Sequence, residues 1–161
     1  VPSVSDLAAE VLASCRARGL RIATAESCTG GLIAAALTEI AGSSDVVECG
    51  FVVYSNGAKH RLLGVPEEML ARHGAVSEAV AVAMAEGALA RAPADLAVAV
   101  TGIAGPGGAT ATKPVGLVHL ACARRGQATV HRREVFAGDR AAVRAATVEI
   151  ALAMLRAAAA S

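Results

Sequence analysis

Tryptophan is absent from this 161-residue chain, and one tyrosine and two phenylalanines supply all of its aromatic content. So few flat side chains leave no platform for stacking bases, and a net charge of +1 provides no strong field for DNA, RNA or an anionic membrane. A nucleic-acid or membrane partner is therefore not expected. The apolar runs break well short of a spanning length, and the amino end lacks the basic, apolar, small-residue layout of a secretion signal. A soluble cytoplasmic protein is the expectation, with Val1 suggesting a trimmed start. Cysteine is scarce too: Cys15, Cys28, Cys49 and Cys122 stand far apart with no CxxC pair, which argues for reduced thiols rather than a disulfide scaffold. No local spacing of cysteine or histidine suggests a metal site, and none is expected.

What is abundant is small and aliphatic. Residues of the hydrophobic class make up 55% of the chain, so its core must be built from Ala, Val, Leu and Ile with layers packed closely. A chain of this length suits one domain, residues 1–161, burying about 70% of its unfolded surface. Apolar periodicity predicts a helix over 5–18 capped by Ser5 and stopped by Gly19, a buried strand over 20–25, a helix over 30–40 and a strand over 46–54. Short helices follow over 57–63 and 66–72, then a longer one over 78–90 capped by Ser77 and closed by Pro93. A strand over 96–100, a hairpin of 115–123 with 128–136, and a helix over 140–158 complete the order. Strands separated by helices early and a hairpin late specify a three-layer α/β/α domain with a mixed, mainly parallel sheet.

Three loops follow predicted strands, and parallel strands would bring all three to one sheet edge. The first contains Ser27, Cys28, Thr29, Gly30 and Gly31. It reads either as a plain helix cap or as a nucleophile turn, with Ser27 or Cys28 as nucleophile and a helix N-terminus favouring an oxyanion or lowering the thiol pKa. The second runs from Tyr54 through Ser55 and Asn56 to Lys59. Lys59 is either a solvated lysine or, in an apolar setting, a base for Ser27. Tyr54 is either a proton relay or a ring buried with its hydroxyl at the surface. The third, Thr101-Gly102-Ile103-Ala104-Gly105-Pro106-Gly107-Gly108, is neither a Walker A loop nor a dinucleotide fingerprint, yet successive glycine N–H groups could cradle a phosphate. Lys113 could set a cation beside it. His60 is a rival base, and Arg140 either contacts a phosphate or forms a surface ion pair.

Taken together, Ala25-Glu26-Ser27-Cys28-Thr29-Gly30-Gly31, Tyr54-Ser55-Asn56 with Lys59, Leu63-Gly64-Val65, Gly74-Ala75-Val76-Ser77, Thr101-Gly102-Ile103-Ala104-Gly105-Pro106, Lys113-Pro114-Val115-Gly116 and Gly138-Asp139-Arg140 resemble the CinA C-terminal domain family. Members of that family include stand-alone nicotinamide-nucleotide amidohydrolases. The resemblance implies a three-layer α/β fold and hydrolysis of the carboxamide of nicotinamide mononucleotide, without cofactor, in pyridine-nucleotide salvage. It also implies Ser27 as nucleophile, Lys59 as its base and Tyr54 as assistant, with Thr29, Gly30, Gly31, Asn56, Thr101, Gly102, Gly105 and Arg140 as oxyanion or substrate contacts. A homo-oligomer is the family's habit. A non-catalytic nucleotide-binding or regulatory module is the alternative reading. One departure stands out: after the Gly-Pro pair this chain has Gly107-Gly108-Ala109-Thr110, and Thr112 precedes Lys113, where relatives commonly carry an acidic or hydroxyl residue and an acidic residue. That run bears on substrate contacts.

Overall fold

A computed structural model describes residues 2–161. Helices α1 (Val4–Arg18), α2 (Leu32–Thr38), α3 (Asn56–Leu63), α4 (Glu67–His73), α5 (Glu78–Arg91) and α6 (Arg140–Ala160) surround strands β1 (Ile22–Glu26), β2 (Val47–Val52), β3 (Leu96–Gly102), β4 (Leu117–Arg124) and β5 (Val130–Val135). The sheet order is β2-β1-β3-β4-β5. β1 pairs parallel with β2 and with β3, and β4 pairs antiparallel with both of its neighbours. Four strands thus run one way and β4 alone opposes them. The carboxyl ends of β1, β2, β3 and β5 consequently share one edge of the sheet.

The period of two in the buried strands divides the core between the faces. Ile22, Val98, Val100, Val118 and Leu120 pack beneath α1, α2 and α6. On the other face β1, β3 and β4 present alanine at 23, 25, 97, 99, 121 and 123 to α3, α4 and α5, with Cys49 and Phe51 of β2 beside them. Within that helical layer α5 approaches the end of α3 so closely that a Cβ added at Gly87 would clash with the Leu63 carbonyl oxygen. The three-layer arrangement is the one the sequence specifies. Among the described residues no helix is long and apolar enough to cross a membrane.

Several boundaries differ from expectation for local reasons. Ser3, not Ser5, caps α1, in a reciprocal capping box with Asp6. The helix expected from residue 30 begins at Leu32, because Gly30 and Gly31 have φ of 58° and 110° and cannot continue a right-handed turn. Pro66 stands just outside α4 rather than within its first turn. β2 ends at Val52, before the expected Val53 and Tyr54, and the carbonyls of those two residues turn instead to Lys59.

Candidate active site

Ser27 leaves the end of β1 held on both sides: its N–H donates to the Val100 carbonyl of β3 at 3.1 Å, and Val53 N–H donates to the Glu26 carbonyl at 2.9 Å. Those bonds bring the segments that follow β1 and β2 together beside the end of β3. Ser55 caps α3 by accepting the Ala58 N–H, so Lys59 lies one turn into that helix and points inward. The Lys59 side chain is only 1% exposed. Its Nζ stands 2.8 Å from Ser27 Oγ and donates to the carbonyls of Val53 at 2.9 Å and Tyr54 at 3.1 Å.

This environment shifts the lysine toward the uncharged amine. Burial lowers the Lys59 pKa from 10.5 to about 8, while the nearby Cys28 acts weakly the other way. A neutral amine has two N–H groups and one lone pair, and two carbonyls take the N–H groups. The lone pair is then left for the Ser27 hydroxyl proton, the arrangement a general base needs. Cys28 follows the opposite course. It is buried, and burial pushes its thiol up to about 11, so it is protonated near neutral pH and no thiolate nucleophile. The depressed thiol pKa expected at a helix N-terminus is therefore not found.

A cavity of about 230 Å³ opens above this pair, lined by Ser27, Cys28, Tyr54, Asn56, Lys59, Ala75, Val76, Thr101, Gly102, Ala104 and Arg140. A second hollow, of about 710 Å³, shares Ala104 and Arg140 with it and extends past Pro106, Val115 and Asp139. Arg140 therefore stands at the junction. Its guanidinium donates to the Gly105 carbonyl at 2.9 Å and to the Tyr54 hydroxyl at 3.3 Å, rather than to a surface carboxylate. Tyr54 is 63% exposed, so its ring forms part of the rim instead of being buried. Thr101 is buried, and its hydroxyl donates to the Ala75 carbonyl at 3.0 Å.

Of the residues expected around the nucleophile, Thr29, Gly30, Gly31 and Gly105 do not line the cavity. The Gly30 N–H is spent on the Ser27 carbonyl at 3.1 Å, and Gly31 faces Val52, whose side chain lies 3.6 Å from where a Cβ would stand. Thr29 is sealed beneath the turn, where its hydroxyl donates to Glu26. His60 is turned away as well, with Nδ1 2.8 Å from the Val65 carbonyl and Nε2 3.1 Å from Glu67. Lys113 reaches the His73 carbonyl rather than the glycine loop. Residues 107–112 are exposed and line neither hollow, so the departure in that run lies outside the site's walls. Among the described residues no three His, Cys, Asp or Glu side chains gather as metal ligands.

Three contributors, Glu26, Ala75 and Val76, stand in the motifs quoted above but had no role assigned from sequence. Glu26 is fully buried and accepts from Thr29 Oγ1 at 2.5 Å, Ile33 N–H at 2.9 Å and Ala34 N–H at 3.0 Å, which ties the turn to α2. A carboxylate within an otherwise apolar strand just before the turn was its available signal. Ala75 and Val76 line the cavity with no polar chemistry to reveal them.

Known proteins match this architecture closely. The solved structure of the competence/damage inducible protein CihA from Agrobacterium tumefaciens superposes with a TM-score of 0.95 at 53% identity, covering 98% of this chain and 96% of that one. The nicotinamide-nucleotide amidohydrolase PncC of Escherichia coli strain K12 is 53% identical over 149 residues, 92% of this chain and 90% of that protein. A CinA-like protein of Mycolicibacterium vanbaalenii is 55% identical over 153 residues, but this chain spans only 35% of its length. The model of the CinA C-terminal domain matches residues 4–159, and the chain belongs to that family.

Proposed function

We propose that this chain hydrolyses the carboxamide of nicotinamide mononucleotide to nicotinate mononucleotide and ammonia, through an acyl-enzyme on Ser27. The observation that carries the reading is the 2.8 Å approach of Lys59 Nζ to Ser27 Oγ inside a site whose burial makes the lysine easier to deprotonate. The likeness to a relative named for that reaction over 92% of this chain supports the substrate class.

In the proposed sequence, Lys59 takes the Ser27 hydroxyl proton as Oγ attacks the amide carbon. The carbonyl oxygen becomes an oxyanion. Cys28, which follows the nucleophile and lines the cavity, offers the nearest backbone N–H to it. The lysine proton passes to the departing nitrogen, the C–N bond breaks and ammonia leaves. Water, deprotonated by Lys59, then attacks the acyl carbon, and Ser27 recovers its proton as nicotinate mononucleotide departs. The 230 Å³ cavity takes the pyridine carboxamide, while the ribose and phosphate extend past Arg140 into the larger hollow. There the guanidinium meets the phosphate. Tyr54, at the rim beside Arg140, orients the nucleotide and shields the leaving group. Such an enzyme returns a deamidated pyridine nucleotide to salvage.

Ammonia release from nicotinamide mononucleotide by the purified chain tests this directly. Wild type and Cys28→Ala should turn over while Ser27→Ala does not. The reverse pattern would discard Ser27, and tight binding without turnover would make the chain a nucleotide-binding module instead.

A further inference from the structure

Arg144 lies on α6, far along the chain from Ser27, yet its guanidinium is committed to the nucleophile turn. Nε donates to the Cys28 carbonyl and Nη2 to the Thr29 carbonyl, each at 3.2 Å. The same Nη2 would lie 3.6 Å from a Cβ built on Gly30, so the group covers the turn. Half-buried, it forms no ion pair among the described residues. A cation fork held only by two backbone carbonyls beside a nucleophile calls for an explanation.

Peptide planarity supplies one. In a trans peptide the N–H points opposite to the C=O of the preceding residue, so pinning the Cys28 carbonyl fixes the direction of the Thr29 N–H. From below, Glu26 holds the Thr29 hydroxyl and the first N–H groups of α2, and the Gly30 N–H is closed onto the Ser27 carbonyl. With those contacts made, the peptide groups on both sides of Thr29 are fixed, and Cys28 is the residue of 28–30 that lines the cavity. A guanidinium on the adjoining carbonyls also polarises the peptide groups and strengthens their N–H donors.

We propose that Arg144 is a positioning residue for the reaction, holding the Cys28 and Thr29 carbonyls so that the nucleophile turn presents the Cys28 N–H to the oxyanion without reorganising. It rests on the acyl-enzyme reading above, but not on the identity of the amide. Because fixed donors act mainly on the transition state, the effect belongs in kcat rather than KM. Arg140, which the proposed mechanism places against the phosphate, should show the opposite split.

Two readouts test it. The first is steady-state hydrolysis of nicotinamide mononucleotide by wild type, Arg144→Ala, Arg144→Lys and Arg140→Ala. The second is the rate at which a fluorophosphonate probe labels Ser27, followed by intact mass. In that step Ser27 Oγ bonds to phosphorus, the P–F bond breaks, fluoride leaves and Lys59 takes the proton, so the phosphoryl oxygen calls on the same donors whatever the natural substrate. Arg144→Ala should lose about 100-fold in kcat and in labelling rate with KM within about twofold, a loss on the scale of one oxyanion donor. Arg144→Lys retains the charge but cannot fork to both carbonyls, so it should melt near wild type and still lose about tenfold. Arg140→Ala should mainly raise KM. Wild-type labelling rates in both Arg144 variants, or a loss confined to KM, would overturn the proposal. So would an Arg144→Lys variant that is fully active while Arg144→Ala is merely unstable. If wild type is labelled at Ser27 but leaves the nucleotide intact, the substrate reading fails, and the labelling rates alone decide the role of Arg144.

Discussion

Glu26 and Lys59 are the two charged side chains sealed most completely into this molecule, at 0% and 1% exposure, and they occupy opposite faces of the same sheet edge. Their surroundings are of opposite kinds. Glu26 accepts from a hydroxyl and two backbone N–H groups, so each of its contacts is a donor turned toward a carboxylate. Lys59 meets two carbonyls and the Ser27 hydroxyl, all neutral and with no carboxylate among them, and burial pushes it down to about 8. A carboxylate met by donors alone is an anchor, whereas a buried amine met by two carbonyls and a hydroxyl can shed its proton and turn a lone pair to that hydroxyl. On this account the Glu26 face holds the turn and the Lys59 face works on the substrate.

The comparison breaks most visibly if either half of the Ser27–Lys59 pair proves dispensable. Ser27→Ala and Lys59→Met should each lower ammonia release from nicotinamide mononucleotide by at least about 10³-fold while circular dichroism and melting show a folded protein. Lys59→Arg should be as inactive, because a guanidinium keeps its proton. Glu26→Gln should behave differently. Its amide NH2 would confront a backbone N–H and the charge-assisted bonds would be lost, so chemical denaturation should report about 3 kcal/mol of lost stability. Activity per folded molecule should stay within about tenfold. A Glu26→Gln protein that melts normally but is as inactive as Ser27→Ala would move Glu26 to the chemical side of the comparison.

Two smaller effects sharpen it. The Lys59 pKa is lower in the folded protein than its ordinary 10.5, so the unfolded chain binds more protons between about 8 and 10.5. The resulting penalty on folding is complete below about 8 and fades as pH rises. Relative to Lys59→Met, wild type should therefore gain about 2 kcal/mol between pH 7 and pH 9.5, as measured by paired denaturant titrations. An unchanging difference would mean that Lys59 carries no burial penalty. Tyr54→Phe should have the smallest consequence, below about tenfold in kcat/KM, because the exposed hydroxyl meets only Arg140 among the described residues. A Tyr54→Phe loss as large as that of Lys59→Met would return the phenol to the proton path.

The layers and the succession of elements along the chain were legible because apolar periodicity marks buried strands such as β3 and cap residues such as Ser77 mark helix starts. Parallel pairing then brought the segments after β1, β2 and β3 to one edge, as the positions of Ser27, Lys59 and Thr101 required. Local pattern could not reveal how the turn spends its own hydrogen bonds. Gly30 and Gly31 suggest anion donors in sequence, but their left-handed backbone serves to close the turn and start α2. Glu26 and Arg144 were silent for a related reason. The first contacts groups three to eight residues ahead, and the second contacts carbonyls 115 and 116 residues behind, pairings that only the packed fold creates. Cys28 misled in the other direction, since helix proximity argues for a thiolate while burial argues against one, and burial is the larger effect.

The central claim is that burial readies Lys59 as the base for Ser27, and the pH dependence of kcat/KM for nicotinamide mononucleotide tests it most directly, because that ratio reports ionisations of the free enzyme. The rate should climb tenfold per pH unit below about 8 and level off above it, following the depressed lysine. A profile flat from pH 6 to 9, or one that levels off near an ordinary histidine pKa of about 6.5, would contradict the account.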